Sequence, residues 1–228
     1  MKKIIAFGCF IIPFIGVAQD CGNFYYFQNN KTIEMSIFSR KGNPDGKQVY
    51  TISSVQNTGS GITSTVNSES FSSSGKSRSK SVNTMTCNNG VMMMDIRMQL
   101  SDEQQKKFGE ADAKMDKVYI EYPPGMKAGD NLKDATIHMD MTINNAPTSV
   151  DMTVSDRKVE AKEKIVTGAG DYDCFKITYK TKVVTKTMIG TMGIPVTVNI
   201  EGTEWFSPGF GTVKSESKYG SSLLSSVK

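Results

Sequence analysis

ATIHMDMTINNAPTSVDMTVSDRKV, residues 135–159, decides the fold class. Ile137, Met139, Met141 and Ile143 fall on every second position, and after Asn144-Asn145-Ala146-Pro147 the alternation resumes at Val150, Met152 and Val154. A period of two is the strand period, in which successive side chains point to opposite faces. Two such runs around a turn-forming cluster make a hairpin. Pairing Met139 with Met152 sets Ile137 against Val154 and Met141 against Val150; a slip of one residue would turn the whole apolar set to water. The opposite face carries His138 and Thr142, with Asp140 facing Asp151, and is wet.

The same period extends in both directions. Downstream, Val159, Ala161 and Ile165 alternate with Lys158, Glu160, Lys162 and Lys164, and the loop Thr167–Asp171 returns the chain through Phe175, Ile177 and Tyr179. Val196–Phe206, Gly211–Tyr219 and the pair Leu223-Leu224 supply further strands. Upstream, Thr32–Arg40 and Lys47–Asn57 flank Gly42-Asn43-Pro44-Asp45-Gly46, a register that places Met35 opposite Ile52 and Ile37 opposite Tyr50. Asn88-Asn89-Gly90 marks a tight hairpin between Ser81–Cys87 and Val91–Met98. The serine-rich stretch Ser68–Ser81 reads as a mobile loop or a ragged hairpin. Ser101–Met115 breaks the period: Ser101 and Gln104 form a capping box ahead of a thin stripe of Phe108, Ala111 and Met115. The expectation is a mainly β chain, a curved antiparallel sheet of half-barrel or sandwich type, with about ten strands and one short exposed helix.

Lys2 and Lys3, the apolar run Ile4–Val17 and the small residues Gly16 and Ala18 form a signal peptide, 1–18, leaving one β-rich domain over 19–228. The run is shorter than the ~20 residues needed to span a bilayer, and no second long apolar run exists, so no integral membrane segment is expected. Cys9 sits too early for a lipoprotein signal, and Cys21 lacks the small residue a lipoprotein signal needs before its cysteine. The reading is therefore an exported, non-lipidated protein of the periplasm or the exterior, where disulfides persist.

Composition then removes function classes. A formal net charge of +4, scattered along 228 residues, argues against nucleic-acid binding. One histidine, His138, leaves little for metal or nucleophile–imidazole chemistry. Asp140 with Asp151, and Asp171 with Asp173, read as solvated strand and turn acceptors; calcium would need a dense acidic loop. The Gly-x-Gly pieces at Gly168 and Gly209 join strands and so lack the helix of a phosphate cradle. Lys176, Lys180 and Lys182 read as the exposed side of a strand. Fourteen methionines invite a Cu(I) reading. At Met139, Met141 and Met152, however, the run of Ile137, Val150 and Val154 on the same face favours core or cavity lining, and no metal or other cofactor is expected. Cys21, Cys87 and Cys174 allow any one of three bridges, and spacing does not choose among them.

Three segments carry a resemblance. Phe24-Tyr25-Tyr26-Phe27 leads through Glu34-Met35 to Lys41-Gly42; Asp156-Arg157-Lys158-Val159-Glu160 continues through Thr167-Gly168-Ala169-Gly170 to Asp173-Cys174-Phe175-Lys176-Ile177; and Trp205–Glu216 runs through Ser207-Pro208-Gly209-Phe210-Gly211. This layout resembles the TapB-like group of exported Bacteroidota proteins, itself distantly similar to periplasmic half-barrels of the YmcC and lipoprotein-carrier type. The resemblance implies a half-barrel and carries no active-site residues. Cys87 at a strand end and Cys174 at a strand start, both in segments that fit this pattern, are the expected disulfide, with Cys21 free.

The functional expectation is a non-enzymatic binding module. Ile137, Met139, Met141, Val150, Met152 and Val154 form a hydrophobic concave face for a lipid-like ligand, another apolar envelope component or a partner segment. The alternative is a structural or interaction protein of the envelope with no small ligand.

Overall fold

Alternation organises almost the whole chain of the computed structural model, which describes residues 21–59, 61–99, 118–143, 146–189 and 192–228. The expected signal peptide, its cleavage after Ala18 and the expected helix Ser101–Met115 lie outside these residues. Twelve strands follow in order: β1 (Thr32–Ser39), β2 (Pro44–Thr58), β3 (Gly61–Ser72), β4 (Ser77–Asn88), β5 (Val91–Asp95), β6 (Tyr119–Tyr122), β7 (Ala135–Ile143), β8 (Ala146–Thr167), β9 (Gly170–Ile189), β10 (Met192–Ser207), β11 (Gly211–Ser217) and β12 (Gly220–Val227). The mainly β, curved antiparallel expectation holds, with twelve strands in place of about ten.

All twelve form one sheet in the order β6-β5-β4-β3-β2-β1-β12-β11-β10-β9-β8-β7. Every strand but the two edges lies beside its neighbours in sequence, and the antiparallel pairing of β1 with β12 welds the first and last strands together. The sheet curls until it is nearly a closed barrel. Its inner face is the core: Ile33, Ile52, Val66, Val159, Ile177, Val213 and Leu224 are all fully buried there. Each such side chain contributes about 1.5–3 kcal/mol relative to exposure.

The gap between edges β6 and β7 is closed by a side chain and a loop. A bulge in β8 between Ser155 and Lys158, with Asp156 at φ 52°, turns Arg157 inward. Arg157 Nη1 then donates to the carbonyls of Glu121 on β6 and Lys133, each at 3.0 Å. The segment between β6 and β7 pairs with the same bulge, Leu132 N donating to Arg157 O at 2.8 Å and Gly129 N to Val159 O at 2.7 Å.

The registers correct two expectations. On β7 and β8, Ile137 faces Met152, Met139 faces Val150 and Ala135 faces Val154, a shift of two residues from the expected pairing. The apolar face is the same, because the shift is even. The observed register brings β7 and β8 within two residues of each other at Ile143–Ala146, and it places His138, not Asp140, opposite Asp151. Like charges directly opposite each other are unfavourable; here His138 Nδ1 lies 2.6 Å from Asp151 and Nε2 lies 3.3 Å from Asp140. In the β1–β2 hairpin, Met35 faces Gln48 and Ile33 faces Tyr50. That turn is tighter than expected, Ser39 N donating to Asn43 O at 2.8 Å. Gly46 belongs to β2, where it passes so close to β3 that a Cβ would lie 1.9 Å from Phe71 O.

The serine-rich stretch takes the second of its two expected forms, a hairpin of β3 and β4 with a register shift between Ser70 and Phe71. Ser68 Oγ lies 2.6 Å from Ser81 Oγ and Ser70 Oγ lies 3.0 Å from Ser79 Oγ, while Asn83 Nδ2 donates to Ser68 and Ser81. Cross-strand hydroxyl pairs thus satisfy polar groups on a buried face, where an unpaired group costs about 1–3 kcal/mol. The Asn88–Gly90 turn is as expected: Asn89 at φ 49° and Gly90 at φ 78° give the two positive angles of a type I′ hairpin.

Candidate functional site

The inner face of β4 and β5 is built of methionine. Met85 lies directly opposite Met94, and Met92 lies opposite Cys87 on one side and Tyr122 of β6 on the other. All three are buried. Met98 follows on a 3-10 turn, Ile96–Gln99, and Met35 arrives from β1 across the fold. These five thioethers line a cavity of about 90 Å3. Tyr26, Tyr50, Tyr122 and Phe206 give it an aromatic wall, and no Leu, Ile or Val lines it among the described residues.

One end is held by the N-terminal segment. Two 3-10 turns, Cys21–Asn23 and Tyr25–Phe27, carry Phe24, Tyr26 and Phe27 into the core. A disulfide joins Cys21 to Cys87, with Cα atoms 5.6 Å apart, and Tyr25 N donates to Gly209 O at 3.0 Å. The expected Cys87–Cys174 bridge is therefore corrected: Cys174 is a free, buried thiol. Cys87 faces the cavity side of β4, where the N-terminal segment packs, whereas Cys174 belongs to β9 in the other half of the sheet. Burial, with Asp173 and Glu163 nearby, pushes the Cys174 thiol up to about 12, so it is not a nucleophile near neutral pH.

Glu204 gives the cavity its charge. This carboxylate of β10 is buried and accepts from Tyr122 Oη at 3.0 Å on each oxygen and from Thr212 Oγ1 at 3.3 Å. Arg157 Nη2 lies 3.9 Å from Glu204 Oε1, and the guanidinium lies over the Tyr122 ring at 4.9 Å. Tyr122 in turn stacks on Phe206 with ring centroids 4.2 Å apart. Burial raises the Glu204 carboxyl above its ordinary range, while Arg157, Tyr122 and Thr212 pull it back. Ser215 and Ser222, paired at 2.7 Å, complete the polar side.

The residues expected to form a ligand face behave differently. Ile137, Met139, Val150, Met152 and Val154 do come together on the inner face of β7 and β8, and each is at most 4% exposed. None of them lines the cavity described above. Met141 lies opposite Thr148 in the β7–β8 register. Sequence reasoning missed Glu204, Tyr122, Arg157 and the Met85–Met92–Met94 group. The alternation Met92-x-Met94 was visible, but the bulge that turns Arg157 inward and the crossing that brings β10 against β6 leave no periodic signal.

Among the described residues no helix is long and apolar enough to cross a membrane. The DUF3108-like family model matches residues 28–227. No curated protein matches the chain. A crystal structure of a protein from Bacteroides fragilis, described as exported and as having a YmcC-like fold, is 22% identical, with a TM-score of 0.69 over 88% of this chain and 96% of that one. A protein from Parabacteroides distasonis described as a lipoprotein is 23% identical, also with a TM-score of 0.69, over 89% and 96%. The Escherichia coli lipoprotein YmcC aligns over 86% of this chain and 84% of its own at 9% identity and a TM-score of 0.30. The likeness to the two Bacteroidales structures is one of fold; the TapB-like name is not among these matches.

Proposed function

The chain belongs to the DUF3108-like family, and from that premise we propose that it is an exported, non-enzymatic binding module of the cell envelope that takes an apolar side chain or chain end of a partner into its methionine-lined cavity. The observation that carries this reading is the unfilled space among Met35, Met85, Met92 and Met94, all buried. Methionine is unbranched and polarizable, and suits surfaces that adapt to variable apolar partners. At about 90 Å3 the cavity is well below the ~300–1,000 Å3 of pockets that enclose a whole small molecule. A short apolar group fits that space better than a lipid held entire.

Export without acylation goes with this reading. The Cys21 sulfur is committed to Cys87, whereas the cysteine of a lipoprotein carries its acyl-bearing group on that sulfur. Processing at Ala18, leaving Gln19 first, is compatible with the bridge. The neighbour from Bacteroides fragilis is described as exported, which supports the same compartment.

Native mass spectrometry of the protein drawn from its own envelope tests the binding reading. The comparison is with Ser215→Val/Ser222→Val, which replaces a hydrogen-bonded pair by apolar groups, a change that can be nearly neutral for stability, while filling the cavity. A retained mass on the wild type that the filled variant lacks is the expected result; its absence from both, or its persistence on the variant, contradicts the proposal. A second reading, an interaction protein with no small ligand, is favoured by the exposed ridge of Met192, Ile194 and Val196 on β10, 71%, 49% and 58% exposed. That reading expects the retained mass to respond to Ile194→Asp and not to the cavity variant.

A further inference from the structure

We propose that the same cavity is a site for a soft monovalent cation, Cu(I) or its redox-inert counterpart Ag(I), held by the thioethers of Met85, Met92 and Met94. The proposal names a different occupant from the apolar group above and does not depend on it. Met85 and Met94 are directly opposite across β4 and β5, a relation that sets Cβ atoms about 4.5–5.5 Å apart. Met92 and Met94 are two residues apart on one strand, about 7 Å, with side chains on the same face. Three Cβ atoms at those spacings form a small triangle, and each methionine has three rotatable bonds with which to swing its sulfur toward the centre. The space into which they would swing is the cavity they line.

Coordination chemistry then limits the occupant. Thioethers are soft, neutral donors that select Cu(I) over harder divalent ions. Among the described residues no group of three or more His, Cys, Asp or Glu is placed to hold a metal ion, and His138 lies on the outer face of the sheet, bridged to Asp151 and Asp140. A cation buried with neutral ligands needs a compensating charge within the same low-dielectric space. Glu204 is the carboxylate of the lining; it already faces Arg157 Nη2 at 3.9 Å, so its charge would be shared between the guanidinium and the bound cation. Among the described residues, no Leu, Ile or Val lines this space.

The test is titration of the purified, disulfide-intact protein with Ag(I), and with Cu(I) under a competing chelator. The wild type is expected to bind one ion per chain. Met92→Leu/Met94→Leu should bind at least ten times more weakly, because Leu conserves the volume and removes both sulfurs. Met139→Leu/Met152→Leu should bind as the wild type does. No stoichiometric binding by the wild type, or binding unchanged in Met92→Leu/Met94→Leu, overturns the site, as does equal loss in the two double variants. Should the cavity variant fail to fold, X-ray absorption at the silver edge of the wild-type complex decides: a shell of sulfur alone supports the assignment, and a nitrogen or oxygen shell overturns it. Apolar-group binding is expected to persist in Met92→Leu/Met94→Leu, so either reading can fail while the other stands.

Discussion

Methionine occupies the inner face in two places, and the two are not alike. On β7 and β8, Met139 and Met152 are each 1% exposed and sit among Ile137, Val150 and Val154, in a run of aliphatic neighbours. On β4 and β5, Met85 and Met92 are just as buried, yet they border open space with tyrosine, serine and a carboxylate around it. Burial alone does not separate a packing residue from a site residue. What separates them is the company: branched aliphatic side chains interdigitate to native density, whereas a wall of thioethers and phenols around Glu204 leaves room. The lesson concerns residue type as much as geometry, since the same side chain fills gaps in one region and edges a cavity in the other.

The largest effect expected from this contrast lies at the disulfide that holds the N-terminal segment over the methionine wall. Reducing Cys21–Cys87, which closes a loop of 66 residues, should lower stability by about 4 kcal/mol in the chain-entropy account. Cys174→Ala, on the packed half, should lower it by about 1 kcal/mol. Urea midpoints with and without reductant measure both, and a larger loss from Cys174→Ala would reverse the assignment of which half depends on its cross-link.

Truncation probes the two methionine groups directly. Met152→Ala should cost about 3 kcal/mol, since it opens a void among close neighbours. Met94→Ala should cost about half as much, because its surroundings already include unfilled volume. Equal losses in chemical denaturation would erase the distinction between the two regions.

How much of this was legible depended on whether a feature was periodic. The alternation at Ile137-x-Met139 and Val150-x-Met152-x-Val154 gave the inner face of β7 and β8 correctly, because parity survives an even shift of register. The partner of each residue was not legible, since Met139 against Met152 and Met139 against Val150 bury equal numbers of apolar groups; the closer approach of β7 to β8 and the charge of Asp151 decide between them. Ser68–Ser81 left a loop and a hairpin equally open because serine counts as polar in any pattern, while Ser70 and Ser79 satisfy each other across the strands and stay buried. The Cys21–Cys87 bridge and the Glu204–Tyr122 contact join residues 66 and 82 positions apart, and nothing local announces either.

The smallest expected effect sharpens the comparison from the outer side of the β7–β8 hairpin. Asp151 first, and Asp140 second, raise the imidazole of His138 above its ordinary value. A raised folded-state value means that the protonated histidine adds stability below about pH 6.5, its unfolded value, and that this contribution fades as pH rises through the folded value. The group is exposed, so the gain is a fraction of a kcal/mol. As His138 is the chain's only histidine, one imidazole resonance reports the titration; a midpoint at or below the ordinary value would remove the Asp–His–Asp arrangement from the account.

The central claim is that the methionine wall of β4 and β5 borders accessible space, in a cavity that Met139 and Met152 of β7 and β8 do not line. Carbon-13 labelling of the methionine methyl groups, followed by NMR under xenon pressure, tests it without assuming any ligand, because xenon enters cavities lined by apolar atoms. The account predicts that the methyl signals of Met85, Met92 and Met94 move in proportion to xenon pressure while those of Met139 and Met152 stay fixed. Movement confined to Met139 and Met152, or no movement at Met85, Met92 and Met94, would contradict it.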